Sequence, residues 1–408
     1  MKRALSGVAC LLLAAATGIA APAPDQVPGD GELTLLFESN DPYQVLFLVG
    51  IGELREGNYA AAAKILRALY RSVKTQRVQL ELARALFLDR RYRESETLFR
   101  AVYEDPDVPL NVRENIKLYL DEIDAVLGTL KFAFAIISDS NPLELTDAGR
   151  VTIAGQRFLF VRPAQNKRVL GAEYGVEAAG ALNDDASVKL YLNSSLQDFQ
   201  GGRFDRLDAD AGLLFAPRAM PRFRARIGVE EALYAGSHLY EFPYASLIFI
   251  PRPINEFRLQ SELKYGRLDV TDSSSLDAQH LNLTLSGTRR FPSQTWLASN
   301  LYLETAESED DAYSYVGAAI GGELSVPLNA RWGIRVLGSV GRRDFSAVDP
   351  LFGSVREDDN YIAGVSIFSR SVKLLGFEPE VGIRYEKRDS NLAFYDYDKV
   401  NLIFRLSE

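Results

Sequence analysis

The sequence predicts a two-part α + β protein: α-helical repeats at the N-terminus, then an antiparallel transmembrane β-barrel of about fourteen strands. Three observations predict it. From Leu130 onward, stretches of roughly ten residues alternate apolar with polar side chains, separated by short turns and longer acidic or Ser-rich loops. Between Asp41 and Leu127 the period changes from two to about 3.6, and Ala, Leu, Arg and Glu dominate. Past the N-terminus no apolar run reaches the roughly 20 residues a membrane helix needs, so a chain that spans must span as strands.

Met1-Lys2-Arg3, the apolar stretch from Leu5 to Ala16 and the small residues Gly18-Ile19-Ala20 read as a signal peptide over 1–20, cut before Ala21. The mature protein is therefore expected outside the cytoplasm. Cys10, the only cysteine, lies inside the apolar core rather than at its end. That placement argues against lipid attachment and leaves a mature chain without thiols, as an oxidising periplasm permits. Residues 21–40, rich in Pro, Ala and Gly, read as a flexible leader. A net charge of −9 argues against nucleic acid as a partner, because such a surface needs a basic patch.

Over 41–127, Gly57-Asn58-Tyr59 and Arg90-Arg91-Tyr92 open two similar turn-helix units roughly 33 residues apart, which is the tetratricopeptide spacing. Helices are expected at 43–56, 58–73, 76–89, 92–103 and 108–127. Gly50, Ala62 and Ala83 fall where helices cross closely, and Leu66, Leu80, Leu86 and Phe99 fill the layer between them.

The barrel is expected over 130–408. Its strands are read at 130–137, 169–181, 188–197, 207–215, 223–233, 239–249, 256–268, 278–289, 295–305, 313–326, 331–345, 361–371, 377–388 and 396–406. An even count puts both ends on one side, with short turns beside the helical domain and long loops on the outer surface. Val151 to Phe160 reads as part of the long first loop, forming a hairpin or folding inward. Alternation assigns the faces. Phe257, Leu259, Leu263 and Tyr265 oppose Arg258, Gln260, Glu262 and Lys264. Phe223, Ala225, Ile227 and Val229 oppose Arg224, Arg226 and Glu230, and Val381, Ile383 and Tyr385 oppose Arg384 and Glu386. A cation facing mid-bilayer costs about 2–4 kcal/mol, so Arg224, Arg226, Arg258, Glu262, Lys264, Arg384 and Glu386 are expected to line a charged lumen, either wet or cross-linked. Trp296, Trp332, Tyr244, Tyr302 and Tyr385 suit an interfacial girdle.

The helical stretch Arg77-Val78-Gln79-Leu80-Glu81-Leu82-Ala83-Arg84-Ala85-Leu86-Phe87 with Tyr92 and Phe99, Asp139-Ser140-Asn141 after the first strand, and the last hairpin from Arg388-Asp389-Ser390-Asn391 to Lys399 resemble the Slam family, the surface lipoprotein assembly modulators. The resemblance covers nearly the whole mature chain. It implies a fourteen-stranded outer-membrane barrel behind a periplasmic tetratricopeptide domain, and a type XI secretion activity that moves client proteins to the surface. Implied partners are a lipoprotein or secreted carrier as client, outer-membrane lipid and lipopolysaccharide, and the barrel-assembly machinery. The ending Phe404-Arg405-Leu406-Ser407-Glu408 departs from the pattern in lacking a terminal aromatic, so the insertion signal is atypical.

In a closed barrel the first and last strands pair, so Asp139, Ser140, Asn141, Asp389, Ser390 and Asn391 are expected at the outer rim near the closing seam. Two roles stay open for them: capping turn backbones, or latching a seam that opens sideways for clients. Enzyme chemistry is not expected. His238 and His280 have no serine placed beside them for a hydrolase and no cysteine for zinc, and no metal or other cofactor is implied. Glu307-Glu309-Asp310-Asp311 and Glu357-Asp358-Asp359 read as solvated loop charge rather than cation sites. The expected function is protein export. The alternative is a porin-like channel with a periplasmic protein-interaction domain.

Overall fold

The computed structural model describes residues 41–105, 107–153, 155–163, 167–374 and 377–407; the signal peptide and leader read over 1–40 lie outside the described residues. The chain divides after Ala85 into two compact units.

The first unit is helical. In α1 (Pro42–Glu56), the Asp41 carboxylate caps the start by accepting from the Tyr43 N–H at 2.9 Å, and Gly57 at φ 85° ends it in the left-handed region. It crosses α2 (Tyr59–Ser72) so closely that a Cβ on Gly50 would lie 2.9 Å from Leu66, the contact expected of a small residue there. The start of α3 (Gln76–Leu88) joins them: the Tyr70 hydroxyl donates to Gln79 at 2.9 Å, and the Arg77 guanidinium lies 5.0 Å from the Phe47 ring.

The second unit opens with the last turn of α3, then α4 (Tyr92–Tyr103) and α5 (Leu110–Leu127). Tyr119 stacks on Phe99 at 4.9 Å and meets Phe87 edge-on at 5.2 Å, which fixes α5 against its neighbours. Gly128 then ends α5 and is also the first residue of the barrel.

The strands run β1 (Gly128–Asp139), a separate hairpin of β2 (Arg150–Ile153) and β3 (Gln156–Leu159), then β4 (Val169–Ala181), β5 (Val188–Phe199), β6 (Arg206–Phe215), β7 (Phe223–Tyr234) and β8 (Ser237–Phe249). They continue as β9 (Arg258–Val270), β10 (Ala278–Arg290), β11 (Trp296–Ser308), β12 (Tyr315–Pro327), β13 (Trp332–Val348), β14 (Val355–Ser369), β15 (Glu378–Ser390) and β16 (Tyr397–Ser407). All but β2 and β3 pair antiparallel with their neighbours, and β1 pairs with β16, so fourteen strands close. The hairpin falls on Val151 to Phe160, inside the first long loop.

Alternation sets the faces. Leu190 and Leu192 on β5, Phe223 and Ile227 on β7, Leu263 and Tyr265 on β9, and Val381, Ile383 and Tyr385 on β15 are exposed on the outer wall, where only lipid would remove them from water. Among the described residues no helix is long and apolar enough to cross a membrane. The aromatic expectations need correction at three positions, of which Trp296 is one: it opens β11 on the inward face. Tyr244 is buried on the inner wall, and Tyr302 shares the inward face of β11 with Glu304 and Ala306. The acidic run Glu357-Asp358-Asp359 is not loop: β14 extends back to Val355, because each carboxylate meets a guanidinium once the strand is formed.

Candidate functional site

Both Asp-Ser-Asn motifs lie at the rim opposite the junction with α5, each at the end of a strand. At the first, Asp139 Oδ1 accepts from the Asn141 N–H at 2.7 Å, an Asx turn that brings the next two side chains across the seam. Ser140 Oγ accepts from the Val400 N–H at 2.8 Å, and Asn141 Nδ2 donates to the Asp398 carbonyl at 3.0 Å. These two bonds continue β1–β16 pairing beyond the last ladder pair, Asp139↔Asn401. Asn141 is 1 % exposed and also exchanges bonds with Leu145, accepting at 3.0 Å and donating at 2.9 Å.

The second motif acts one interface away. Asn391 Nδ2 donates to the Val355 carbonyl at 2.8 Å and its Oδ1 accepts from the Glu357 N–H at 2.9 Å, so it binds β15 to β14. The Ser390 N–H donates to Asp396 at 2.6 Å, and Lys387 pairs with Asp389 at 2.9 Å.

Between the motifs lies buried charge. Lys399 on β16 meets Glu144 at 2.8 Å, Glu386 at 3.4 Å and Asp139 at 4.0 Å, joining the first loop, β15 and the end of β1. Asp358, with a fully buried side chain, pairs with Arg356 and lies 3.9 Å from Arg388. The Arg356 guanidinium stacks 3.6 Å from the Tyr395 ring centre, and the Tyr395 hydroxyl donates to Asp349 at 2.7 Å. Burial, and then the Asp349 carboxylate, push the Tyr395 hydroxyl above its ordinary range, so it stays protonated and keeps donating. Phe394 meets Phe352 and Phe160, which packs the loops after β1, β13 and β15 together over this rim.

On the inner wall, Arg226 faces Glu262 at 3.5 Å, Lys264 pairs with Glu230, and Arg384 meets Glu386 at 2.9 Å. Each pair joins strands at most two places apart, so these bonds run along the wall instead of across the bore. Arg224 and Arg258 share the inward faces of β7 and β9 at the end nearer α5. Lys264 also lies 4.2 Å from the Tyr244 ring, whose hydroxyl donates to Asp210 at 2.8 Å and contacts the Tyr191 hydroxyl at 2.6 Å. A buried row of Phe242, His280 and Tyr315 continues round the wall edge-to-face, at 5.8 and 6.3 Å. His280 is thus part of the interior packing, while His238 sits at the rim against Thr271 at 2.7 Å.

At the other rim, α4 is tied to barrel turns. Arg93 donates to the Ala181 carbonyl at 3.0 Å and faces Asp184 at 3.4 Å, and the Tyr92 N–H donates to the Asp184 carbonyl at 3.2 Å. Arg218, in the turn before β7, pairs with Asp185 at 3.0 Å and lies 3.9 Å from Asp89.

Sequence reasoning did not single out Arg356 or Asp349, and it held Tyr395 and Lys399 only as part of the last-hairpin signature. One signal was present. Basic and acidic residues two apart share a strand face, and Arg206–Asp208, Arg267–Asp269, Arg342–Asp344, Arg356–Asp358, Arg384–Glu386 and Lys387–Asp389 all form ion pairs.

No curated protein matches the chain. Among solved structures, similarity extends to the Acinetobacter baumannii outer membrane channel DcaP, with 9 % identity over 69 % of this chain and 97 % of that one at TM-score 0.40. It extends also to Pseudomonas putida OprB, with 7 % identity over 71 % and 96 % at TM-score 0.39, and to Vibrio cholerae OmpT, with 9 % identity over 69 % and 100 % at TM-score 0.36. Residues 234–408, from the end of β7 through β16, match the family model of the surface lipoprotein assembly modifier, in keeping with the resemblance read from the sequence.

Proposed function

We propose that this chain is an outer-membrane translocon that moves client proteins, surface lipoproteins or related secreted binding proteins, to the cell surface. The observation that carries the reading is the family match over residues 234–408. The helices support it further, because diffusion of solutes needs no polypeptide-binding module, whereas stacked helix pairs present concave surfaces to polypeptides. In this reading the helices are tetratricopeptide-like and periplasmic, the Asp-Ser-Asn motifs lie at the cell-surface rim, and the paired charges keep the inner wall hydrated for a polar client. A porin-like channel with a periplasmic protein-interaction domain is the second reading, favoured by the mixed charge of the inner wall.

The test is reconstitution in liposomes of the full chain and of a chain lacking residues 41–127, with a purified surface lipoprotein as the client. Client export lost with small-solute flux retained supports the translocon. Export undiminished without the helices removes it.

The finer proposal is that Asp139, Ser140 and Asn141 latch a seam that parts for clients. Ile137→Cys with Ile403→Cys sets two thiols opposite each other across β1 and β16, in a chain whose only native cysteine is Cys10. If the oxidised barrel exports as well as the reduced one, the latch is wrong and the translocon stands.

A further inference from the structure

We infer that the outer wall between β9 and β12 holds one ethanolamine-headed glycerophospholipid, an acyl chain in a groove and the headgroup at Arg289 and Glu256. The groove encloses ≈ 440 Å³ and is lined mainly by apolar side chains. Its floor has two small residues, Gly287 and Ser299, opposite each other on β10 and β11, with Leu259 of β9 closing over Gly287 from the other side: a Cβ on Gly287 would lie 3.1 Å from Leu259 and 3.5 Å from Ser299 Oγ. Phe257, Leu285 and Leu301 rise beside that floor. Alternation puts Gly287 and Leu285 on the exposed face of β10, so the groove opens toward lipid. A flat wall meets an acyl chain along one side only, whereas a groove also touches it from its flanks and gains dispersion energy there.

The headgroup follows from charge. Arg289 lies two residues further along the same face of β10, at the end nearer α5. Its guanidinium sits 5.4 Å from the ring of Phe257, which also lines the groove, and 4.6 Å from the ring of Phe291. It pairs at 3.0 Å with Glu256, whose side chain is 68 % exposed. A cation beside an open carboxylate matches a phosphate beside an ammonium, with both signs satisfied. A purely anionic headgroup would set its charge against Glu256. The inference goes beyond the translocon reading and needs only that the barrel spans a membrane.

The experiment is native mass spectrometry of the full chain released from nanodiscs of equal phosphatidylethanolamine and phosphatidylglycerol. One phosphatidylethanolamine is expected to stay on the wild type. It should be lost from Ser299→Leu, which fills the floor, and Arg289→Gln should lower its occupancy about tenfold. Heat-modifiable migration in gels shows whether each variant keeps its barrel. Should Ser299→Leu fail to fold, the headgroup preference of Arg289→Gln decides alone. A wild type without retained lipid, a preference for phosphatidylglycerol, equal retention by folded Ser299→Leu, or an unchanged headgroup preference in Arg289→Gln overturns the inference and leaves client export untouched.

Discussion

Asn141 and Asn391 perform the same operation at two interfaces: each follows a strand end and donates its side-chain amide to a main-chain carbonyl of the preceding strand round the barrel, Asp398 on β16 at 3.0 Å and Val355 on β14 at 2.8 Å. The motif is therefore a strand-end staple, used once at the closing seam and once beside it. Its two copies differ in burial, Asn141 being enclosed and Asn391 exposed.

That difference sets the first prediction. Asn141→Ala strands the buried Leu145 N–H and takes a donor from the Asp398 carbonyl, while Arg162 still donates to the Leu145 carbonyl at 2.7 Å, a loss of about 1–3 kcal/mol for a buried unsatisfied group. Asn391→Ala leaves its partners where water replaces the amide and should cost less, about 0.5–1.5 kcal/mol. Urea unfolding in detergent measures both, and equal losses would contradict the assignment.

Asp358→Asn removes the carboxylate between Arg356 and Arg388, whose side chains are 5 % and 4 % exposed. Breaking such a buried pair costs about 3–5 kcal/mol. Because Arg356 also carries Tyr395, protease cleavage in the loops after β13 and β15 should rise in parallel; unchanged cleavage would show that the loops hold without it.

Gly266 faces the Phe242 ring, and a Cβ there would sit 2.8 Å from that ring and 2.5 Å from the Pro243 carbonyl oxygen. Gly266→Ala should destabilise the barrel by about 1–3 kcal/mol. Gly180→Ala, where a Cβ meets nothing within 4 Å, should be neutral or stabilising by up to about 1 kcal/mol. Thermal unfolding of the two variants separates them.

Asp185 carries the pH prediction. Burial alone would raise its carboxyl, but the Ser187 hydroxyl and N–H, at 2.8 and 3.2 Å, and Arg218 outweigh it and hold the carboxyl below its ordinary value. A depressed carboxyl stabilises the folded state above its unfolded value of 3.8 and loses that contribution as pH falls through the lower folded value. Stability should therefore fall with acidification below pH 3.8 in the wild type and less steeply in Asp185→Asn. Parallel acid titrations by circular dichroism would refute this.

The fourteen barrel strands and five helices were legible because each rests on a local period, and Val169–Ala181 carries its strand from end to end. Alternation tells which face a residue occupies, and it placed Lys264 and Arg226 inward. It does not tell which neighbour lies opposite, so the row from Phe242 through His280 to Tyr315 needed the register: His280 pairs with Ala306, and Ala306 with Tyr315. The start of β14 was missed for a related reason. Three consecutive acids look like a solvated loop until Arg342 and Arg356 are known to share their faces. The two Asp-Ser-Asn motifs were visible as residues, but the strand each one grips was not, since Asn391 bonds to β14 through pairing that no local pattern records.

One residue, Gly128, ends α5 and starts β1, so nothing slack separates the last helix from a strand of the seam. Any pull on α5 would reach that strand directly, with no leash to absorb the stroke.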